Sequence, residues 1–165
     1  RATPGYESLQ PLLDKFAADH PEHEKNVFIA MRFRVEEQFL EIHNAIRNTL
    51  SKYGLVGLRA DDKNYCTDGD LWSNICVYMM GCKYGICVFE EINDREFNPN
   101  VPLEYGFMRA LDRRVLLLKD SRMKPLPADI TGKQYYPFDT YKITESISNQ
   151  VSTWAERDLS LAKPE

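Results

Sequence analysis

The 165 residues contain no apolar run approaching the roughly 20 residues that a helix needs to span a bilayer, so no membrane partner is expected. There is no GxGxxG and no Walker A pattern, which excludes the two common glycine-rich phosphate cradles. Histidine is scarce. His20, His23 and His43 lie far in sequence from Cys66, Cys76, Cys82 and Cys87, and no two of those cysteines form a CxxC pair. This spacing argues against a zinc site, and no metal is expected. Serine–histidine and cysteine–histidine nucleophilic pairs have no local support. Positive charge is not in excess either. The net charge is −4 and the longest basic run is Arg113-Arg114, so nucleic acid is not an expected partner. Internal repeats and low-complexity tracts are absent as well.

What is present fits a globular chain of one main domain: 43% hydrophobic and 28% charged residues, enough to enclose a single core. Cys76, Cys82 and Cys87 fall in apolar segments. They read as small buried thiols in a reducing compartment, which points to the cytoplasm. The chain begins at Arg1, which suits a processed chain or an excised domain, so other domains of a longer chain are expected partners.

Along the chain, residues 6–19 have a loose helical period, with Pro11 near the helix start, where a missing N–H costs least. "HPEHEK" follows as a linker. Residues 1–25 are therefore read as a helical appendage or linker, and 26–160 as an α/β domain. "NVFIAMRF" at 26–33 suits a buried strand. Val35, Phe39, Ile42, Ile46, Leu50 and Tyr53 mark one face of a helix that Gly54 terminates. A strand at 55–60 leads through a polar loop to Asp70, a candidate N-cap for a helix to about Cys82. Further strands are expected at 85–90 and 113–120, a short edge strand near Tyr135 and Tyr136, and a last helix over 144–159. Alternation of this kind predicts a flavodoxin-like three-layer α/β sandwich around a mostly parallel sheet of four or five strands.

Open parallel sheets bind ligands outside the C-terminal ends of their strands. Three polar groups are expected there: Met31-Arg32, Arg59 with Asp61 and Asp62, and the segment 98–104. Glu104 has two readings. In the first turn of a helix entered through Pro102, a carboxylate complements the helix dipole. At the ligand edge, the same carboxylate can act as a nucleophile or stabilise an oxocarbenium ion. Asp61 and Asp62 suit either a solvated turn or ribose hydroxyls. Arg32 and Arg59 suit either a phosphate or pairing with the acidic loop. Trp72 reads as core, and Tyr105 could stack on a base.

"NVFIAMRF", "LRADD", "NPNVPLEYGFMRAL", "RRVLLLKD" and "LPADITGKQYYPF", in that order, resemble the TIR-like group related to nucleoside 2-deoxyribosyltransferases, over roughly residues 26–140. The resemblance implies that Glu104 is the catalytic glutamate, in a helix opened by Asn100. It implies that Phe28, Ala30 and Met31 form a turn whose backbone lines a nucleotide pocket, and that Asp61 and Asp62 lie near the sugar. Arg32 stands where the group usually has proline, and Tyr105 where it has Leu or Ile. The activity implied is cleavage or transfer at an N-glycosidic bond of NAD or a related nucleotide, without a cofactor, as in relatives that degrade NAD in antiphage defence. The alternatives are a nucleotide-signal-binding module and a TIR-type self-assembly module, with further copies of the chain as partners.

Overall fold

Parallel strands buried on both faces set the architecture. The computed structural model describes residues 1–96, 98–126 and 135–165. Its elements run α1 (Gln10–Asp19), β1 (Asn26–Ala30), α2 (Glu37–Lys52), β2 (Val56–Leu58), α3 (Leu71–Gly81), β3 (Tyr84–Phe89), α4 (Asn100–Ala110), β4 (Arg114–Asp120), β5 (Tyr136–Phe138) and α5 (Ile143–Arg157). The sheet has the order β2-β1-β3-β4-β5, and every pairing is parallel. This is the expected flavodoxin-like three-layer sandwich. Its strand order reverses between β1 and β3, which makes their C-terminal ends the switch point.

The two-residue period of the strands divides the core. Phe28 and Ala30 of β1, Cys87 and Phe89 of β3 and Leu117 of β4 pack against α1, α3 and α4. Val27 and Ile29, Ile86 and Val88, and Leu116 and Leu118 face α2 and α5. The helix ends follow local chemistry. Asp70 caps α3, its carboxylate accepting from the Ser73 N–H at 3.2 Å. α2 ends in a Schellman turn: Gly54 adopts φ 71°, Gly54 N–H donates to Ser51 O, and Leu55 N–H donates to Leu50 O.

Several boundaries move from their expected positions. β1 stops at Ala30, where its pairing with Cys87 ends, and Arg32 is drawn away by acids of another loop. α2 begins at Glu37, because the Glu36 carbonyl accepts the first turn's bonds from Phe39 and Leu40, and this leaves Val35 exposed. Residues 127–134, most of the "LPADITGKQYYPF" segment, lie outside the described residues.

The N-terminal segment packs its helix onto the domain. Leu9, Leu13 and Phe16 are buried in the same cluster as α3 and α4. Phe16 lies so close to Gly81 that an added Cβ would stand 2.3 Å from the ring. Gly81→Ala is therefore expected to lower stability by about 1–2 kcal/mol, the overpacking cost less the gain in helix propensity. Urea unfolding checks this, and Phe16→Leu in the same chain should recover most of the loss.

Candidate functional site

Charge buried inside a small domain is costly and therefore informative. The buried charged side chains among the described residues are Arg59, Glu90, Glu104, Lys119 and Asp120. Four of them end or directly follow strands β2, β3 and β4, and α4 supplies the fifth, so all gather at the C-terminal edge of the sheet. Four are satisfied. Arg59 bonds Asp61, and Glu90 accepts from Arg32 and from Ile92 N–H. Lys119 donates to the Met123 and Asp120 carbonyls, and Asp120 accepts from Arg122 N–H. No hydrogen bond or ion pair among the described residues reaches the Glu104 carboxylate.

The position of Glu104 corrects the sequence-based expectation. α4 starts earlier than its dipole reading required. Asn98 folds back so that its side chain accepts from Asn100 N–H at 3.0 Å and its carbonyl from Val101 N–H at 3.2 Å. Asn100 becomes the first helical residue, with Pro99 as the N-cap. Pro102 still falls in the first turn, where its missing N–H is tolerated. Glu104 falls in the second turn, beyond the reach of a terminal dipole interaction. It shares the buried stripe of α4 with Val101, Tyr105 and Met108, facing the sheet at 8% exposure. Burial pushes its pKa from the usual 4.5 up to about 7. Its charge reaches Cys87 on β3, whose thiol is held protonated first by burial and then by Glu104. Cys87 pairs laterally with Ala30, the last residue of β1. The carboxyl, unpaired among the described residues, thus lies beside the switch point.

The β1–α2 and β3–α4 loops are tied together across that point. Arg32 donates Nε to Glu90 at 2.5 Å and a second nitrogen to Asp94 at 2.7 Å, and it also bonds the Glu96 carbonyl. Arg34 reaches the same Asp94 oxygen at 2.8 Å. Of the two readings for Arg32, pairing with the acidic loop describes this structure. Arg59 pairs within its own turn and not with the acidic loop: it grips Asp61 with two nitrogens, at 2.8 and 2.5 Å, and lies against the Phe33 ring at 5.1 Å. Asp62 accepts from Arg59 N–H at 2.8 Å, closing the turn after β2. Burial works against ionisation of Asp61, and the hydrogen bonds and charge of Arg59 outweigh it, leaving the carboxyl below its usual range. His43 on α2 faces the same group. Burial first, then the charges of Arg59 and Arg47, push it down to about 4, so it is neutral at physiological pH.

The remaining expected residues divide. Phe28 and Ala30 lie on the face of the sheet that Glu104 overlooks. The Met31 side chain packs into the opposite core, against the α2 side, so only its backbone is left to the edge. Tyr105 is a core residue whose hydroxyl accepts from Arg109 at 3.1 Å, so base stacking does not describe its position. Asn100 is exposed at the start of α4. Trp72 packs edge-on against Phe107 at 5.6 Å, as a core contact. Beside the loops after β3 and β4 opens a cavity of about 490 Å³, with Pro99, Met123 and Leu126 in its wall. Sequence reasoning missed Glu90, Lys119 and Asp120. The available signal was a charge placed directly at the end of an apolar strand run.

No family model matches the chain, and no curated protein matches it. Among the described residues, no group of three or more His, Cys, Asp or Glu side chains is placed to hold a metal ion, and no helix is long and apolar enough to cross a membrane.

Proposed function

We propose that this chain is an N-glycosidase that cleaves NAD or a related nucleotide, with Glu104 as its catalytic carboxylate. The observation that carries this reading is a buried carboxyl, unpaired among the described residues, beside the switch point of a parallel sheet. A group held this way is expensive for the fold and chemically available, a combination typical of sites that stabilise developing positive charge. In NAD the leaving base is a pyridinium. It departs with the bonding electron pair as neutral nicotinamide and needs no proton from an acid. The ribose carbon is left with oxocarbenium character, which an adjacent carboxylate stabilises by charge or traps as a glycosyl ester before water attacks. One ionised carboxylate meets that requirement. Such an activity in the cytoplasm, directed at a shared nucleotide pool, would suit an antiviral defence effector.

The test is to incubate the folded protein with NAD and measure released nicotinamide across pH 5 to 9. Because the ionised form is the active one and the pKa of Glu104 is raised to about 7, activity should be lost as pH falls through that value. The expected difference between pH 6 and pH 8 is roughly tenfold, the ratio of ionised fractions. A flat profile, or no nicotinamide from the folded protein at any pH, would remove this reading.

A second reading, a self-assembly module acting with further copies of the chain or with neighbouring domains, is favoured by a separate observation. Phe33, Val35, Leu71 and Leu103 are exposed large apolar residues on loops or helix starts at this same edge. Sedimentation of the wild type against Phe33→Ser and Leu103→Ser separates it from the first.

A further inference from the structure

The N-terminal edge of the sheet lies about 20 Å from the Glu104 edge, the length of the six-residue strand β3 at about 3.3 Å per residue. A cleft of about 680 Å³ opens there, with His23, Lys83, Arg113 and Arg114 in its wall. The turn after α4 builds it. Asp112 takes a left-handed conformation, φ 57°, and Arg113 N–H returns to Met108 O at 3.0 Å, so the chain reverses and two successive arginines meet the start of β3. Lys83 is fixed from the other side by its N–H bond to Asn26 O at 3.1 Å.

The cations here are treated differently from those at the opposite edge. Arg32 and Arg59 are each matched by a carboxylate at 2.5 Å. Among the described residues, no ion pair joins Lys83, Arg113 or Arg114 to an acid, although Glu24 and Asp112 also line the cleft. One guanidinium nitrogen of Arg113 donates to Met80 O at 3.1 Å, while its Nε is buried with no partner. Among the described residues, Arg114 has the Asp158 carbonyl as its one hydrogen-bond acceptor. Lys83 lies over the Tyr84 ring at 5.3 Å, Asp112 acts on Arg113 only through its charge, and the carbonyls that Arg113 and Arg114 hold lie at the C-terminal ends of α3 and α5. None of these contacts is a salt bridge, and a buried donor left open costs stability.

We propose that this cleft is an anion site, separate from Glu104, that binds a phosphate-bearing small molecule. Two arginines and a lysine that line one cleft from two loops suit the several oxygens of a phosphate, and the cleft has room for more than one such group. The inference does not depend on whether Glu104 cleaves a nucleotide.

Calorimetric titration with inorganic pyrophosphate tests it on the wild-type chain and on Lys83→Gln, Arg114→Gln, Arg113→Gln and Glu104→Gln. Lys83 and Arg114 are exposed, so their variants keep the fold, and unchanged melting verifies this. Saturable binding to the wild type is expected, weakened by about tenfold or more in each of the three cation variants, the effect of one charge-assisted hydrogen bond. Glu104→Gln should bind like the wild type. The site is refuted if saturable binding is absent, if the cation variants bind as the wild type does, or if Glu104→Gln weakens binding as much as they do.

Discussion

At pH 8, Glu104→Gln is expected to slow nicotinamide release from NAD by roughly three orders of magnitude, about 4 kcal/mol of transition-state stabilisation. Glutamine keeps the length and hydrogen-bonding reach of glutamate but not its charge. If the carboxylate faces a developing oxocarbenium ion, the loss falls on the chemical step, so kcat should drop while KM changes little. If the carboxylate forms a glycosyl ester, the variant has no nucleophile and the loss is at least as large. A purely structural Glu104 would leave turnover near normal.

The same substitution should stabilise the fold. A carboxyl that titrates at 4.5 when exposed and at about 7 in the folded protein holds its proton more tightly when folded. The folded state then binds more protons between those two values, so stability falls as pH rises through that window. Above pH 7 the ionised carboxylate, unpaired among the described residues, costs the fold about 3 kcal/mol, and glutamine does not incur that cost. Glu104→Gln should therefore melt about 6–12 °C above the wild type at pH 8, by the usual conversion for a domain of this size. Near pH 4.5 the two should melt together, because the wild-type side chain is then largely neutral. Calorimetry at the two pH values checks the pattern. A variant less stable than the wild type at pH 8 would mean that the glutamate has a partner. A gain of stability paired with a loss of activity would mark a group kept for chemistry at the expense of the fold.

The sheet was readable because its signals are local. Apolar runs such as "GICVFE" and "RRVLLLKD", separated by helix-period segments, specify parallel strands with helices on both sides, and the Asp70 cap and Gly54 stop follow from single residues. The site was readable only as an edge. Whether Glu104 sits in the first turn or the second depends on how Asn98 and Pro99 open the helix, a matter of backbone geometry that composition does not encode. Arg32 and Arg59 looked available for phosphate. Arg32 is taken up by Glu90, 58 residues away, a pairing that exists only once β1 and β3 are neighbours. Arg59 is taken up by Asp61, only two residues on, so both members were in view and only the folded turn shows that they meet. Met31 illustrates the pleat: one step beyond Ala30 its side chain points to the other face, away from Glu104.

The most direct measurement is the titration of the Glu104 carboxyl itself, by carbon NMR of side-chain-labelled glutamate assigned through Glu104→Gln, with and without ADP-ribose. The predicted result is a midpoint near 7 in the free protein, shifting downward when ribose hydroxyls donate to the carboxylate. A midpoint near the ordinary 4.5 that ligand leaves unmoved would contradict a buried, unpaired carboxylate poised at the switch point.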